Sequence, residues 1–364
     1  KNMSGKIWNS IGLMSGTSMD GIDAALIKTD GYQVLEEGPF LTLPYKTAFR
    51  KLLENLIAGK GDLNKVEDQL TLEHAKAVSA LIENFNVAIS DVDLIGFHGH
   101  TISHNPDEQH TLQIGNGRLL ASTTGVDVVN DLRSSDVKAG GQGAPLAPIY
   151  HKALMKSQDL PAIILNIGGV ANITWVDTLD ENLIGFDTGP GNALIDDWIK
   201  RKTGRHYDND GFLASKGQVH EDILTELLAH PYFSASTPKS LDRNFFKNLT
   251  ETAIANLSVE DGAATLSAFT IKSITNAINK LSKPFKKCIV AGGGRHNASL
   301  MSGLKESFPD QLISSNDTGW SGDAIEAQAF AFLAVRSRLS LPISFPGTTG
   351  VSKPLTGGVF HPKN

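Results

Sequence analysis

Short apolar runs alternate with glycine-rich turns along most of the chain, and this pattern predicts an α/β fold. Short, mostly apolar runs bounded by residues such as Gly, Ser or Asn are typical of strands. The predicted strands cover residues 7–14, 22–29, 32–43, 94–97, 126–130, 162–167, 172–176, 183–186 and 287–291.

Three longer segments carry the spacing of helices. In residues 63–85, Ala75, Val78, Ile82 and Phe85 recur every three or four positions, which puts them on one helical face. Residues 263–281 show the same periodicity, and the Ala, Phe and Leu content of residues 324–338 indicates a buried helix.

One arrangement occurs twice. Residues 11–27 and residues 164–176 each consist of a strand, a glycine turn and a second strand, about one domain length apart. The chain length of 364 residues also fits two domains. The break at residues 139–143 therefore predicts an N-terminal domain of residues 1–138 and a C-terminal domain of residues 139–364.

Composition excludes several classes of protein. The formal charge of −6 argues against a broad nucleic-acid surface. Cys288 is the only cysteine, which excludes an intrachain disulfide and a cysteine zinc cluster. No apolar run has the roughly 18 residues that span a bilayer, and the first residues lack an apolar signal core. We therefore expect a cytoplasmic protein with no membrane partner.

Glycine is enriched, at 35 residues, and clusters at predicted strand ends. Such clusters are typical of tight turns, and they also allow a backbone to approach a ligand. The turn at residues 16–21 and the Gly168-Gly169 turn offer amide-lined concavities for an anion. Residues 292–294 precede a predicted helix start near His296, so that turn suits either a phosphate or a flat base. The common nucleotide motifs are missing: there is no Walker sequence, and Leu194 replaces the third glycine after Gly189-Pro190-Gly191.

Taken together, six stretches resemble one family of sugar kinases. They are IGLMSGTSMDGIDAALI from Ile11, TLQIGNG from Thr111, GGQGAPLAP from Gly140, NIGGVANIT from Asn166, GFDTGPGNALID from Gly185 and VAGGGRHN from Val290. In this order they are similar to the anhydro-N-acetylmuramic acid kinase family, within the sugar kinase, actin and Hsp70 superfamily. The chain departs from the family pattern at His100, where HGQT is usual, and has fewer arginines after Asp131.

The resemblance implies two ribonuclease H-like domains of the actin-like ATPase type around a central cleft. It also implies ATP with Mg²⁺ as cofactors and a small sugar as partner, and a cytoplasmic homodimer that acts in cell-wall recycling. The reaction would open the 1,6-anhydro bridge with water and phosphorylate O6. The nucleotide-binding residues implied are Gly16, Thr17, Ser18, Met19, Asp20, Gly21, Ile22, Asp23, Gly168, Gly169, Asn172, Gly292, Gly293, Gly294 and Asn297.

Two carboxylates are the catalytic candidates. Asp187 follows a predicted strand and precedes a helix, a position where an aspartate often caps the helix instead. The resemblance implies that Asp187 is the base that activates water. Glu326 lies in an apolar helix, either at its solvated edge or against a buried partner, and the resemblance implies that it faces the sugar or the water.

The substrate candidates are Thr101, Arg133 and Gln142. The planar guanidinium of Arg133 suits the lactyl carboxylate of the sugar, although a surface ion pair is the alternative. The family positions of Thr101 and Gln142 imply contacts with sugar hydroxyls. No metal ligand is assigned on the chain; the histidines at 98, 100 and 104 have the spacing of a metal site, but no carboxylate cluster supports it.

Two other functions fit part of this pattern. A different sugar kinase would use Asp187 to deprotonate an ordinary hydroxyl. A non-catalytic nucleotide switch of the Hsp70 or sugar-sensing type would need a peptide-binding or DNA-binding module, and we expect neither in this chain.

Overall fold

The computed structural model describes residues 5–16 and 18–363. The strands are Trp8–Met14 (β1), Gly21–Thr29 (β2), Val34–Pro44 (β3), Leu94–Phe97 (β4), His100–Asn105 (β5), His110–Ile114 (β6), Val128–Asn130 (β7), Ala162–Ile167 (β8), Val170–Val176 (β9), Ile184–Pro190 (β10), Lys287–Ala291 (β11), Leu312–Ser314 (β12) and Val359–His361 (β13). Every strand predicted from the sequence is confirmed, as is the α/β class.

The α-helices lie between groups of these strands and after them. They are Thr47–Ile57 (α1), Leu63–Asn84 (α2), Gly117–Thr124 (α3), Ser134–Lys138 (α4), Pro148–Leu154 (α5), Ala193–Thr203 (α6), Glu221–Leu228 (α7), Lys247–Ala253 (α8), Val259–Leu281 (α9), Ala298–Ser307 (α10), Ile325–Arg338 (α11) and Pro346–Thr349 (α12). The three predicted helices correspond to α2, α9 and α11. Within the described residues, no helix has both the length and the apolar character needed to cross a bilayer.

The chain forms two compact units, and each contains one large sheet. In the first unit the strand order is β13-β7-β4-β1-β2-β3, and in the second it is β10-β9-β8-β11-β12. In both sheets three consecutive strands form an antiparallel meander, and two parallel strands follow on the far side of its first strand. Both sheets therefore place the third, second and first strands of the meander side by side, followed by the two parallel strands. This shared order confirms the internal repeat and the two ribonuclease H-like units.

The first unit is completed by the end of the chain. It contains the residues up to Leu154 and those from Ala324 onward, whereas Met155–Asp323 form the second unit. The predicted boundary after residue 138, with everything later in one domain, differs from this division. Helix α11 belongs to the first unit because it packs on β1, β2 and β4.

The close approach of α11 to the sheet depends on two glycines. A Cβ atom at Gly12 would lie 1.7 Å from the carbonyl oxygen of Ala327, and one at Gly96 would lie 2.0 Å from that of Phe330. The opposite face of the sheet buries a core against α1, α2 and α3. The second unit has a separate core, in which residues of α6, α9 and α10 pack against β8, β9 and β11.

Candidate active site

In the first unit the candidate residues collect at the carboxyl ends of the parallel strands. The hairpin turn follows β1, His98 follows β4 and Arg133 lies just after β7. The backbone N–H of His98 donates to the carbonyl of Leu13 at 3.1 Å, which ties two of these ends together. Ligands of open α/β sheets bind at this edge, so the fold favours a site here.

The hairpin turn between β1 and β2 is held from outside by an arginine. Nε of Arg50 donates to the carbonyl oxygen of Met19 at 2.9 Å, and its Nη2 lies 3.3 Å from Oδ1 of Asp20. The N–H of Met19 closes the turn on the carbonyl of Gly16 at 3.0 Å. Thr17 lies outside the described residues, and its predicted role stays a prediction.

The remaining residues of this segment differ in what they can offer a ligand. Ser18 and Asp20 are accessible, and a Cβ atom at Gly16 would have no described neighbour within 4 Å. Gly21 lies close to β3, where a Cβ atom would be 2.4 Å from the carbonyl oxygen of Leu43. The side chain of Ile22 is fully buried in the core, so only its backbone can contact a nucleotide.

Behind the hairpin lies a buried polar chain that sequence reasoning missed. The hydroxyl of Tyr45 donates to Oγ of Ser15 at 2.8 Å, and Oγ of Ser15 is 2.9 Å from Nδ1 of His100. Burial lowers the pKa of His100 to about 4, so its imidazole is neutral at ordinary pH. These hydrogen bonds therefore fix Ser15, at the start of the hairpin, without adding charge.

Glu326 lies at the start of α11 and interacts electrostatically with Asp23 and Arg133. Burial among protein atoms and the charge of Asp23 raise the pKa of Glu326, whereas Arg133 lowers it. The side chain nevertheless keeps an exposed surface. Asp23 also accepts a hydrogen bond of 2.5 Å from Oγ1 of Thr42. The first unit thus brings together a carboxyl group that holds its proton more tightly than usual, a second carboxylate and a guanidinium.

Arg133 is oriented by a neutral histidine. Its Nε donates to Nε2 of His98 at 3.1 Å, and its Nη1 donates to the carbonyl of Gly143 at 2.8 Å. Burial, followed by the charge of Arg133, holds the pKa of His98 well below its usual range. Because His98 accepts through Nε2, its Nδ1 carries the proton and donates to the carbonyl of Gly99 at 2.9 Å.

The other two substrate candidates lie on neighbouring segments of the same unit. Oγ1 of half-buried Thr101, on β5, accepts from Nε2 of Gln113 at 3.3 Å. The N–H of half-buried Gln142 donates to the carbonyl of Thr349 at 2.7 Å, which ties the loop before α5 to α12.

In the second unit four residues form a row across the sheet. Asp187 on β10 pairs with Asn172 on β9, Asn172 pairs with Asn166 on β8, and Asn166 pairs with Ala291 on β11. The Gly168-Gly169 turn and the glycines after Ala291 continue from the same edge of the sheet. Asp187 therefore lies in one row with Asn172 and Asn166, which flank the Gly168-Gly169 turn, and three strands away from Ala291, which precedes the third glycine turn.

Asp187 is fixed by a distant segment of the chain. The N–H of Leu241 donates to its Oδ2 at 2.7 Å, and its own N–H donates to the carbonyl of Lys239 at 3.0 Å. The Tyr232 hydroxyl donates to the carbonyl oxygen of Asp187 at 2.5 Å. Asp187 therefore does not cap α6; that position belongs to Asn192.

The Gly168-Gly169 turn lies against the first residues of α6. The N–H groups of Gly191 and Asn192 donate to the carbonyls of Gly169 and Gly168 at 3.0 and 2.7 Å. Cβ atoms at Gly168 and Gly169 would make only ordinary contacts, at 3.5 Å or more. Their backbone is thus the accessible part of this turn.

The third glycine turn is built around a buried arginine. Nη1 of Arg295 donates to the carbonyl of Gly292 at 2.8 Å and to Oδ1 of Asp323 at 2.9 Å. The side chain of Asn297 caps α10 by accepting the N–H of Leu300 at 3.1 Å. This cap occupies one of the first-turn amides of α10.

Comparison with known proteins identifies the family. The family model for anhydro-N-acetylmuramic acid kinase matches residues 9–363. The chain belongs to the anhydro-N-acetylmuramic acid kinase family. It is 48% identical over 352 residues to the anhydro-N-acetylmuramic acid kinase of Paramagnetospirillum magneticum, covering 97% of this chain and 99% of that one. It is 49% identical over 368 residues to the enzyme of the same name from Azorhizobium caulinodans, covering 97% and 99%.

Among solved structures, one match is component A of the (R)-2-hydroxyglutaryl-CoA dehydratase of Acidaminococcus fermentans. The TM-score is 0.48 at 11% identity, with coverage of 91% of this chain and 99% of that one. This likeness is too low to bear on either fold or function here.

The departure from the anhydro-N-acetylmuramic acid kinase pattern at His100 has a structural explanation. The imidazole of His100 bonds Ser15 just before the hairpin turn between β1 and β2, a contact that a glutamine amide can also make. The other histidines of the proposed metal spacing have separate partners: His98 bonds Arg133, and His104 bonds Thr111 at 2.9 Å. Within the described residues, no three His, Cys, Asp or Glu side chains are grouped as a metal site requires.

Sequence reasoning missed the arginines that support the glycine turns and the segment that holds Asp187. Leu241 is 54 residues from Asp187 and lies in a stretch without clear periodicity, so no local signal links them. The available cue was the pair of basic residues Lys239 and Arg243, which a surface loop would explain equally well.

Proposed function

We propose that this chain is an ATP-dependent kinase that acts on 1,6-anhydro-N-acetylmuramic acid. It opens the anhydro bridge with water and phosphorylates O6, giving N-acetylmuramic acid 6-phosphate and ADP, as part of cell-wall recycling. Family membership over nearly the whole chain supports this reaction. The observation that carries the mechanism is the carboxylate of Asp187, oriented by the N–H of Leu241 in the row of paired residues that flank the Gly168-Gly169 turn.

The proposed reaction begins at the anomeric carbon. Asp187 takes a proton from a water molecule as its oxygen bonds C1, and the bond between C1 and O6 breaks. O6 then takes the γ-phosphoryl group, the bond from that phosphorus to the bridging oxygen of ADP breaks, and the proton leaves to solvent. No separate acid is required, because the departing oxygen receives a phosphoryl group instead of a proton.

The residues of the first unit are proposed to hold the sugar. Glu326, whose pKa is raised by burial and by the charge of Asp23, faces the sugar or the attacking water. Arg133 binds the lactyl carboxylate, and neutral His98 orients the guanidinium without cancelling its charge. Thr101 and Gln142 contact sugar hydroxyls.

The glycine turns are proposed to bind ATP. The turn at residues 16–21 and the Gly168-Gly169 turn contact the phosphates, and Gly292, Gly293 and Gly294 accept the adenosine. Asn172, which lies in the row of paired residues with Asp187, contacts the phosphates. The side chain of Ile22 is buried in the core, and that of Asn297 caps α10. Mg²⁺ enters with ATP, held mainly by phosphates and waters, and Asp20 and Asp23 are the carboxylates nearest the first phosphate turn.

The family resemblance also supports two proposals about the protein in the cell. It acts in the cytoplasm, where ATP is available, and it forms a homodimer. Light scattering of the purified chain tests the dimer, and a mass of one chain would contradict it.

ADP release across a panel of sugars tests the proposed function. We expect activity with 1,6-anhydro-N-acetylmuramic acid and little with N-acetylmuramic acid, N-acetylglucosamine or glucose. In Asp187→Asn the amide oxygen still accepts the N–H of Leu241, so ATP should bind while turnover falls by about 10² to 10⁴. Activity with free N-acetylmuramic acid alone would instead indicate an ordinary hydroxyl kinase.

Asp177 provides the matched control. It lies just beyond the carboxyl end of β9, the end away from the Gly168-Gly169 turn. Like Asp187, it accepts a backbone N–H, from Leu179 at 2.8 Å. Asp177→Asn should keep wild-type activity, and an equal loss in both variants would remove Asp187 from the catalytic role.

A further inference from the structure

The segment that bonds Asp187 also places a cationic side chain, that of Arg243, beside the Gly168-Gly169 turn. Leu241 donates to Asp187, and two residues later the side chain of Arg243 lies along Gly169. A Cβ atom at Gly169 would lie 3.7 Å from Cγ of Arg243 and 3.8 Å from its Cδ, which is ordinary packing distance. One short segment thus contacts both the proposed base and the proposed phosphate turn.

The guanidinium of Arg243 is held by a carboxylate at two points. Its Nη1 lies 3.2 Å from Oδ2 of Asp197 and its Nη2 lies 3.0 Å from Oδ1 of the same residue. Asp197 is on α6, whose first residues receive the Gly168-Gly169 turn. A two-point pair of this kind fixes the plane of the guanidinium as well as its position.

Arg243 differs from the arginines that support the other two turns. Arg50 and Arg295 each donate to a backbone carbonyl of the turn that they support. Arg243 instead donates to Asp197 and, at 3.4 Å, to Oδ1 of Asn244, and its Nε has no partner among the described residues. About one third of its side chain is exposed. It therefore retains donors for a ligand at Gly169.

We propose that Arg243 contacts the phosphate chain of the nucleotide beside Gly169, and that Asp197 is the positioning residue that orients it. Phosphoryl transfer depends on positioning and on neutralising oxygen charge, which a fixed guanidinium supplies. The described glycine turns themselves contain no cationic side chain. This inference rests on the proposed function, because it assumes that ATP binds at the Gly168-Gly169 turn.

Arg243→Met tests the contact, because methionine keeps an apolar stem along Gly169 and removes the charge. We expect the Kd for ATP to rise by about 10-fold or more, as the loss of a charged hydrogen bond predicts. The Kd for adenosine, which has no phosphate, and the KM for the sugar should change by less than about 2-fold.

Arg201 supplies the control. It forms a comparable pair with Glu251, at 2.8 Å, but lies in the last turn of α6, away from the glycine turn. Arg201→Met should leave the Kd for ATP unchanged. Arg243→Lys should recover part of the ATP affinity, and Asp197→Asn should weaken ATP binding less than Arg243→Met does.

Two results would overturn the inference: unchanged ATP affinity in Arg243→Met, or equal losses for ATP and adenosine, which would indicate a purely structural role. If Arg243→Met does not fold, unchanged ATP affinity in both Arg243→Lys and Asp197→Asn has the same meaning. Failure of the proposed function looks different, since the wild type itself would then not bind ATP.

Discussion

At the scale of single residues, Asp196 is the carboxyl group beside the Arg243 pair. It lies in the first turn of α6, where the helix dipole favours an anion. Burial has the larger effect. Together with the charges of Asp197 and Asp208 it raises the pKa of Asp196 to about 7, and the charge of Arg243 offsets only part of this rise. Ionised Asp196 therefore costs free energy in the folded state.

This cost predicts a pH-dependent effect of Asp196→Asn. A folded-state pKa above the unfolded one means that the contribution of Asp196 to stability is complete below about pH 4 and is lost as the pH rises through about 7. At about pH 8 the variant should therefore be more stable than wild type by about 1–2 kcal/mol, and the gain should vanish near pH 4. Urea unfolding at both pH values measures this difference.

Asp222 is the control for this prediction. It occupies the first turn of α7 and is exposed, so Asp222→Asn should bring no gain at the higher pH. A loss of stability in Asp196→Asn at about pH 8 would contradict the assigned environment.

At the scale of elements, the hairpin between β1 and β2 allows a clean test of phosphate binding. A side chain at Gly16 would enter space that no described residue occupies, and its backbone is not in the left-handed region. Gly16→Val should therefore leave the fold intact, yet block the approach of phosphate to the backbone. We expect the Kd for ATP to rise by about 10-fold or more, with the melting temperature and sugar binding unchanged.

Gly21 is the matched glycine of the same hairpin. A Cβ atom there would lie 2.4 Å from the carbonyl oxygen of Leu43, so Gly21→Val should lower the melting temperature. If Gly16→Val binds ATP as the wild type does, the hairpin is not part of the nucleotide site.

Most strands and helices were predictable, because apolar runs and helical spacing can be recognised in the sequence without knowledge of the tertiary contacts. What could not be predicted was short or depended on distant partners. The hairpin of β5 and β6 is polar and mostly unburied, so it lacks an apolar pattern. Asn297 was expected to bind the nucleotide, yet its side chain caps α10, which only the structure reveals.

At the scale of the whole molecule, the internal repeat was visible in the sequence but the division into units was not. The apolar residues of α11 are distributed around the helix, so its sequence gives no sign of which sheet it covers. The glycines at 12 and 96 explain its place, because only residues without a Cβ atom allow such close contact with α11. Glu326 consequently belongs to the same unit as Arg133 and Asp23, and not to that of Asp187.

The central claim is that water opens the anhydro bridge and that the released O6 takes the phosphoryl group. The most direct measurement is turnover of 1,6-anhydro-N-acetylmuramic acid in ¹⁸O water, with the label located before anomeric exchange. The account predicts ¹⁸O at the anomeric carbon of N-acetylmuramic acid 6-phosphate and none newly placed at the 6-position. Label in phosphate, with no label in the sugar, would mean that ATP is hydrolysed without coupling to ring opening, and would contradict the account.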